Sequence, residues 1–181
     1  MEIELEMIEI VFFGRGGQGS VTAAELLAKA AIQEGLYAQA FPFFGTERRG
    51  APVQAFARIS DEPIDIASKI YEPDILLLLD SKLLTIKEVV EGLKKGGLLV
   101  ANSPKKPETN LDAKHAYVDA TSIALKWLGV VIVNTTMLGA LIKAKPLVSL
   151  DTLIKVVKER FDEKNVNAVK EAYEKTFVEG R

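Results

Sequence analysis

Three glycines with a fixed spacing form the first candidate site in this sequence. Gly14, Gly16 and Gly19 make the pattern G-x-G-x-x-G, which follows the apolar segment Met7–Phe13 and precedes the Ala/Leu-rich segment Val21–Glu34. Between a strand and a helix, such glycines let a phosphate group approach the backbone N–H groups at the helix start. Arginine and glutamine side chains in the turn add hydrogen-bond donors. The candidate cofactor-binding residues are Gly14, Arg15, Gly16, Gly17, Gln18 and Gly19.

The chain lacks the acidic residue that completes a dinucleotide site. An Asp or Glu at the end of the second strand, about 20 residues beyond the glycines, normally holds the ribose of NAD. The predicted second strand ends instead in Ala40, Phe41 and Pro42. NAD binding is therefore disfavoured. Two other interpretations stay open: a tight turn that only packs helix on strand, or a turn that receives a phosphate-bearing ligand or a partner's cofactor. If the turn is tight, Gly16→Val is expected to clash with it.

An aromatic and arginine-rich loop is the second candidate site. Residues 41–52 have the sequence FPFFGTERRGAP, in which phenylalanines stand beside an arginine pair. The guanidinium groups of Arg48 and Arg49 offer paired donors to carboxylate or phosphate. Aromatic residues together with arginine are typical of interaction surfaces, although a loop packed on its own domain with solvated arginines is also possible. The candidate residues of this loop are Thr46, Glu47, Arg48 and Arg49.

Other polar residues are weaker candidates. Asp80 and Asp119 each follow a predicted strand, where capping a turn or helix is the usual role of an aspartate. Asn134 opens a predicted helix, so capping is its default role as well, although the N–H groups at this helix start are expected to face the same strand ends as the glycine turn. His115 is expected to be structural or exposed, and Trp127 to lie in the core. No nucleophile–base pair and no metal cage is recognisable, so the sequence indicates a ligand or partner platform rather than a complete catalyst.

Composition excludes several classes of protein. The 181 residues include 23 Lys and Arg against 25 Asp and Glu, for a net charge of −2, which disfavours a general nucleic-acid binder. The absence of cysteine excludes disulfides, thiolate zinc ligands and an iron–sulfur cluster held by this chain's own cysteines. No apolar run approaches the length of about 18 residues that a membrane helix needs. Several glutamates open the chain, unlike a secretory signal, so we expect a cytoplasmic protein.

Alternating strands and helices predict the fold that must hold these candidates. The predicted strands are Met7–Phe13, Tyr37–Phe41, Val53–Ile59, Ile75–Leu79, Leu98–Ala101, Ala116–Val118 and Val130–Val133. The predicted helices are Val21–Glu34, Leu83–Leu93, Ser122–Leu128, Asn134–Ala144, Leu150–Arg160 and Val166–Phe177. This order predicts a Rossmann-like α/β fold, with a mostly parallel sheet flanked by helices. Residues 1–181 are expected to form one domain, with residues 149–181 as a C-terminal helical annex.

Several segments together resemble one known family. They are GRGGQGSVTAAELLAKAA, AFPFFGTERRGAPVQAFARI, YEPDILLLLD, VDAT, IVNTTMLGA and the closing EKNVNAVKEAYEKTF. Over nearly the whole chain, they resemble the gamma subunit of the 2-oxoacid:ferredoxin oxidoreductases, of the pyruvate and 2-ketoisovalerate type. Enzymes of this family oxidatively decarboxylate a 2-oxoacid, pass electrons to ferredoxin and transfer the acyl group to coenzyme A.

The resemblance implies a division of labour among subunits. Thiamine diphosphate with Mg²⁺ is expected on the alpha and beta subunits, and [4Fe–4S] clusters on a delta subunit or fused domain. The gamma chain would then pack beside the catalytic subunits and help to form the coenzyme A side of the site. Under this hypothesis, the turn at residues 14–19 supplies backbone donors, and Arg48 and Arg49 meet coenzyme A phosphates or an acidic partner. Neither nucleic acid nor a membrane is an expected partner.

Two other hypotheses remain open on the residues alone. An independent dinucleotide-dependent oxidoreductase would explain the glycine pattern, but the missing ribose acid and the lack of a catalytic pair count against it. A free module that binds nucleotides or phosphates is the other. A subunit differs from both because it should expose an apolar patch and form a larger assembly.

Overall fold

The sheet has seven strands and a mostly parallel arrangement. The computed structural model describes residues 6–43 and 52–179. The strands are β1 (Ile8–Gly14), β2 (Tyr37–Phe43), β3 (Val53–Ser60), β4 (Ile75–Leu78), β5 (Gly97–Asn102), β6 (Ala113–Val118) and β7 (Phe177–Val178). Their order across the sheet is β2-β3-β1-β4-β5-β6-β7. Strands β1, β4, β5 and β6 pair in parallel, whereas β3 and β7 are antiparallel to their neighbours. Because β2 is antiparallel to β3, five of the seven strands run in one direction.

The longer helices all contribute to the hydrophobic core on one face of this sheet. They are α1 (Ser20–Gln33), α3 (Ala120–Leu128), α4 (Asn134–Ala144), α5 (Leu150–Arg160) and α6 (Glu163–Lys175). On the other face, a short 3₁₀ helix (Ser81–Thr85), the four-residue α2 (Lys87–Val90) and a loop that contains Ile70 cover a smaller apolar cluster. Among the described residues, no helix has the length and apolarity needed to cross a membrane.

Small side chains bring α1 close to the sheet. Ala23, Ala24, Ala30 and Ala31 on the helix have almost no exposed surface, and neither do Ala55 and Ala57 on β3. Burying alanine costs little side-chain entropy and lets two backbones approach closely. The alanines of α1 thus lie close against the sheet, and this packing fixes the start of α1 over the carboxyl end of β1.

The structure corrects several predicted elements. Val130–Val133, predicted as a strand, belongs to neither a strand nor a helix, and three of its side chains are about half exposed. Leu83–Leu93, predicted as one helix, is broken into the 3₁₀ helix and α2. Strand β2 continues through Pro42, because it is an edge strand, where a missing backbone donor can be tolerated. The helix predicted over Val166–Phe177 starts at Glu163 and ends at Lys175, before β7.

The C-terminal helices are integrated with the rest of the fold. Leu153, Val156 and Val157 of α5 and Val169 and Ala172 of α6 are fully buried in the same cluster as α1 and β1. Gly139 on α4 lies so close to α6 that a Cβ there would be 2.2 Å from the carbonyl oxygen of Val169. The predicted annex therefore supplies part of the main core.

Candidate binding site at the glycine turn

The turn between β1 and α1 is closed by its own hydrogen bonds. The backbone N–H of Gln18 donates to the carbonyl oxygen of Arg15 at 3.1 Å, and the N–H of Arg15 donates to the Gln18 side-chain oxygen at 2.5 Å. Gly17 and Gly19 have φ angles of 83° and 82°, in the left-handed region that glycine adopts readily. The side-chain oxygen of Gln18 thus holds the turn in shape.

The three motif glycines have different surroundings. A Cβ on Gly14 would lie 2.7 Å from the Ser20 hydroxyl oxygen, and one on Gly19 would lie 2.5 Å from the side-chain nitrogen of Asn134. A Cβ on Gly16 would meet nothing within 4 Å, and its φ is not positive. Among the described residues, the clash expected for Gly16→Val is therefore not found at the Cβ position. Gly14 and Gly19 allow close packing, whereas Gly16 leaves an open side.

An ion pair connects the turn to the next strand. The Arg15 guanidinium Nε lies 2.9 Å from Oδ2 of Asp80, just beyond β4, and Oδ1 of Asp80 accepts from the Lys82 backbone N–H at 2.9 Å. Both side chains are partly exposed, at 39% and 21%. Asp80 is thus a cap, as predicted, and it also orients Arg15. Since β1 and β4 are parallel neighbours, this pair lies at the carboxyl edge of the sheet.

Two helices begin beside each other at this edge. Asn134, the first residue of α4, contacts Gly19 and is 5% exposed. Ser20, the first residue of α1, is 2% exposed, and its hydroxyl has no hydrogen-bond partner. Unpaired backbone N–H groups and the helix dipole make such starts favourable to anions. The sequence placed the start of α4 at the same strand ends as the glycine turn, but it did not predict the direct contact of Asn134 with Gly19. It also missed Ser20, for which the Ser that directly follows Gly19 was the available signal.

Three other candidates from the sequence lie away from the glycine turn and have structural roles. Asp119 caps α3 by accepting from the backbone N–H and hydroxyl of Ser122 at 3.0 and 2.6 Å. Trp127 is partly buried against the main core, as expected, and donates from Nε1 to Glu171 at 2.6 Å. His115 is 5% exposed without a hydrogen-bond partner for either ring nitrogen, and burial lowers its pKa.

The aromatic loop lies partly outside the described residues. Thr46, Glu47, Arg48 and Arg49 lie outside the described residues, so their predicted roles stay predictions. Phe41 and Phe43, predicted at the start of this loop, belong to the end of β2, and their rings lie 5.2 and 5.9 Å from that of Phe56, centroid to centroid. Residues 41–43 are therefore held against β3 as part of the sheet. Over residues 6–43 and 52–179, no cluster of three or more His, Asp or Glu side chains is arranged to hold a metal ion.

Sequence comparison decides the family. Residues 9–175 match the profile of the pyruvate ferredoxin/flavodoxin oxidoreductase family. The chain belongs to this family. The resemblance to its gamma subunits is confirmed by a relative in Thermococcus litoralis, the common gamma subunit of pyruvate/ketoisovalerate oxidoreductases, which is 52% identical over 95% of this chain and 98% of its own length.

Other members of the oxidoreductase family agree in sequence and in fold. A pyruvate synthase subunit from Methanothermobacter marburgensis is 54% identical over 93% of this chain and 97% of its own. The crystal structure of a pyruvate oxidoreductase subunit from Thermotoga maritima superposes with a TM-score of 0.84 at 36% identity, covering 96% of this chain and 99% of that one. The similarity thus extends over nearly the whole of each chain and confirms the predicted fold class.

Proposed function

We propose that this chain is the gamma subunit of an enzyme that oxidatively decarboxylates pyruvate or a related 2-oxoacid, forming acyl-CoA and CO₂ and reducing ferredoxin. The observation that carries this proposal is identity above 50% to such subunits over more than nine-tenths of each chain. The proposed partners are the alpha, beta and delta subunits, with ferredoxin as the acceptor of the whole complex.

The chain's own residues support a non-catalytic role within that complex. It has no cysteine for the [4Fe–4S] clusters and no Gly-Asp-Gly sequence of the kind that binds thiamine diphosphate with Mg²⁺. These cofactors therefore belong to partner subunits in the proposal. What this chain offers is a glycine turn, a pair of helix starts and an ion pair at one edge of its sheet.

We assign the coenzyme A side of the site to the turn at residues 14–19. The open side of Gly16 gives a phosphate direct access to the backbone, and the first N–H groups of α1 favour an anion there. The buried Ser20 hydroxyl, which has no partner, is a further donor at the base of the turn. These features fit a phosphate group of coenzyme A, whose thiol accepts the acyl group in the overall reaction. Arg15, oriented by Asp80, contributes positive charge beside it.

The aromatic loop at residues 41–52 has a predicted role in the same proposal. Arg48 and Arg49 are expected to bind coenzyme A phosphates or an acidic surface of a partner, with Thr46 and Glu47 as neighbours in the loop. The variant Arg48→Ala/Arg49→Ala is expected to raise the KM for coenzyme A or to weaken assembly. Unchanged values of both quantities would show that the loop has neither role.

Exposed aliphatic side chains support assembly with other subunits. Val130, Val131 and Ile132 are 49%, 51% and 42% exposed, and Leu125 on α3 is 48% exposed. The exposed segment leads directly into Asn134, which contacts Gly19 of the turn. Permanent subunit interfaces are large and more hydrophobic than ordinary protein surface. An interface on this segment would place a partner next to the proposed coenzyme A site.

The experiment that tests the proposed function is anaerobic purification of the tagged chain from its native host. We expect a thiamine-binding chain and a cysteine-rich chain to co-purify in fixed proportion. The complex should then reduce ferredoxin in the presence of coenzyme A and one or more 2-oxoacids. The variant Val131→Asp/Ile132→Asp should co-purify with less of both partners than the parent chain does. Recovery of the chain alone, as a monomer or homodimer, would contradict the proposal.

A further inference from the structure

A cleft lies at the sheet edge opposite the glycine turn. Ile8 and Ile75 begin β1 and β4, Gly97 begins β5, and all three line a cavity of about 580 Å³. Since these strands are parallel, this is their amino edge, whereas the glycine turn lies at their carboxyl edge. Volumes of roughly 300–1,000 Å³ are typical of small-molecule sites. This cleft therefore has the size of a ligand site and is separate from the proposed coenzyme A site at the glycine turn.

Lysines from three different elements surround this cleft. Lys95 precedes β5, Lys114 is on β6, and Lys145 follows α4; all three are exposed. Within the described part of the chain, none of the three ammonium groups has a carboxylate or other hydrogen-bond partner. A protein with a net charge of −2 thus gathers three unpaired positive charges around one concavity.

The carboxylates of the cleft are already engaged elsewhere. Asp74 accepts from Nζ of Lys94 at 2.8 Å through one oxygen and from the Glu9 backbone N–H at 2.8 Å through the other. Glu179 binds Lys106 and accepts from the backbone N–H of His115. Because these acids are satisfied by other donors, the three free lysines are not neutralised within the cleft.

The base of the cleft combines a rigid turn with apolar side chains. The N–H of Gly97 donates to the carbonyl oxygen of Lys94 at 2.8 Å, and a Cβ at Gly97 would lie 2.7 Å from that oxygen. This tight turn fixes the backbone that carries Lys95. Ile75, Leu98 and Val178 also line the cavity. The cleft thus offers positive charge together with apolar surface.

We propose that this cleft binds a phosphate-bearing small molecule of about nucleotide size. The three ammonium groups bind the phosphates. Each lysine ammonium acts as a point charge and, unlike the paired donors of arginine, requires no fixed orientation of the phosphate. The apolar side chains contact the uncharged part of the ligand. The concave shape and limited volume favour a small ligand over an extended acidic protein segment.

Calorimetric titration of the full chain, with ATP and tripolyphosphate as probes, tests this inference. We expect binding of one ATP per chain, tighter than that of tripolyphosphate because of the apolar contacts. Lys95→Gln/Lys114→Gln/Lys145→Gln should weaken binding of ATP at least about tenfold. The matched control Lys155→Gln/Lys164→Gln/Lys170→Gln removes three exposed lysines from α5 and α6 and should change it less than about twofold. These titrations are made in the Gly16→Val background, in which phosphates of ATP cannot reach the backbone of the glycine turn, so that the remaining ATP site is assigned to the cleft.

Several results would overturn the inference. Equal weakening in the two triple variants would show general attraction to a positive surface. No binding of either probe, or tighter binding of a poly-glutamate peptide than of ATP, would exclude a phosphate site. The titration is repeated on the assembled enzyme, where loss of binding would show that the cleft is a contact between subunits.

Discussion

Gly19 packs against Asn134 so closely that a Cβ on the glycine would lie 2.5 Å from the asparagine side-chain nitrogen. The contact joins the start of α1 to the start of α4. Gly19 also has a φ of 82°, which costs about 1–2 kcal/mol for other residues. We expect Gly19→Ala to lower the free energy of unfolding by about 2–4 kcal/mol, through backbone strain plus displacement of Asn134. Urea denaturation measures this loss.

Gly35 provides the matched control for that variant. Its φ is 83°, but a Cβ there would meet nothing within 4 Å. Gly35→Ala should therefore cost only the backbone strain, about 1–2 kcal/mol. The difference between the two variants isolates the contact with Asn134, and Asn134→Ala should recover part of the loss in a double variant. Equal losses at both glycines would mean that this contact contributes nothing to stability.

The Arg15–Asp80 pair should contribute a small and measurable coupling. Both side chains are partly exposed, so a double-mutant cycle with Arg15→Ala and Asp80→Asn should give about 0.5–1 kcal/mol. Asp80→Asn retains an oxygen that can accept from the Lys82 N–H, whereas Asp80→Ala loses both interactions. The alanine variant should therefore be less stable than the asparagine variant by about 0.5–2 kcal/mol. Identical stability of the two would exclude the capping role.

Glu171 should make the stability depend on pH under acidic conditions. Hydrogen bonds from Lys126 and Lys175, and a weaker contribution from Trp127, lower its pKa from 4.5 to about 2. Because the carboxylate is the form stabilised in the folded protein, its contribution is complete above about pH 4.5 and is lost as the pH falls towards about 2.

Unfolding by urea at several pH values tests this assignment. Glu171→Gln should be less stable than the parent protein at neutral pH, and the difference should shrink as the pH falls from about 4.5 towards 2. Glu174→Gln changes an exposed glutamate on the same helix and serves as the control. A stability difference for Glu171→Gln that stays constant over this range would contradict the role of its charge.

The local parts of the fold were predictable from sequence, and the long-range contacts were not. The apolar segment, glycine turn and alanine-rich helix at residues 7–34 carry local signals, and β1 and α1 start within one residue of their predicted positions. Val130–Val133 has the composition of a strand, but no strand among the described residues pairs with it. The two-residue β7 has too few residues to show a pattern.

The position of the glycine turn was predictable from the sequence, but the surroundings of its glycines were not. The motif identified the turn, yet only the structure distinguishes the crowded Gly14 and Gly19 from the open Gly16. Gly14 is crowded by the neighbouring Ser20 and by Leu79, and Gly19 by Asn134; Leu79 and Asn134 are distant in sequence. Likewise, the lysines of the cleft at the opposite sheet edge come from three separated segments, so no local motif marks them.

The most direct test of the proposed coenzyme A site is the KM for coenzyme A of the assembled enzyme carrying Gly16→Val. A Cβ at this position would meet nothing within 4 Å among the described residues, so folding, subunit assembly and the KM for the 2-oxoacid should be retained. The KM for coenzyme A should rise at least about tenfold, because the side chain fills the space through which a phosphate reaches the backbone. Gly16→Ala should give a smaller increase. An unchanged KM for coenzyme A in a fully assembled Gly16→Val enzyme would contradict the proposal.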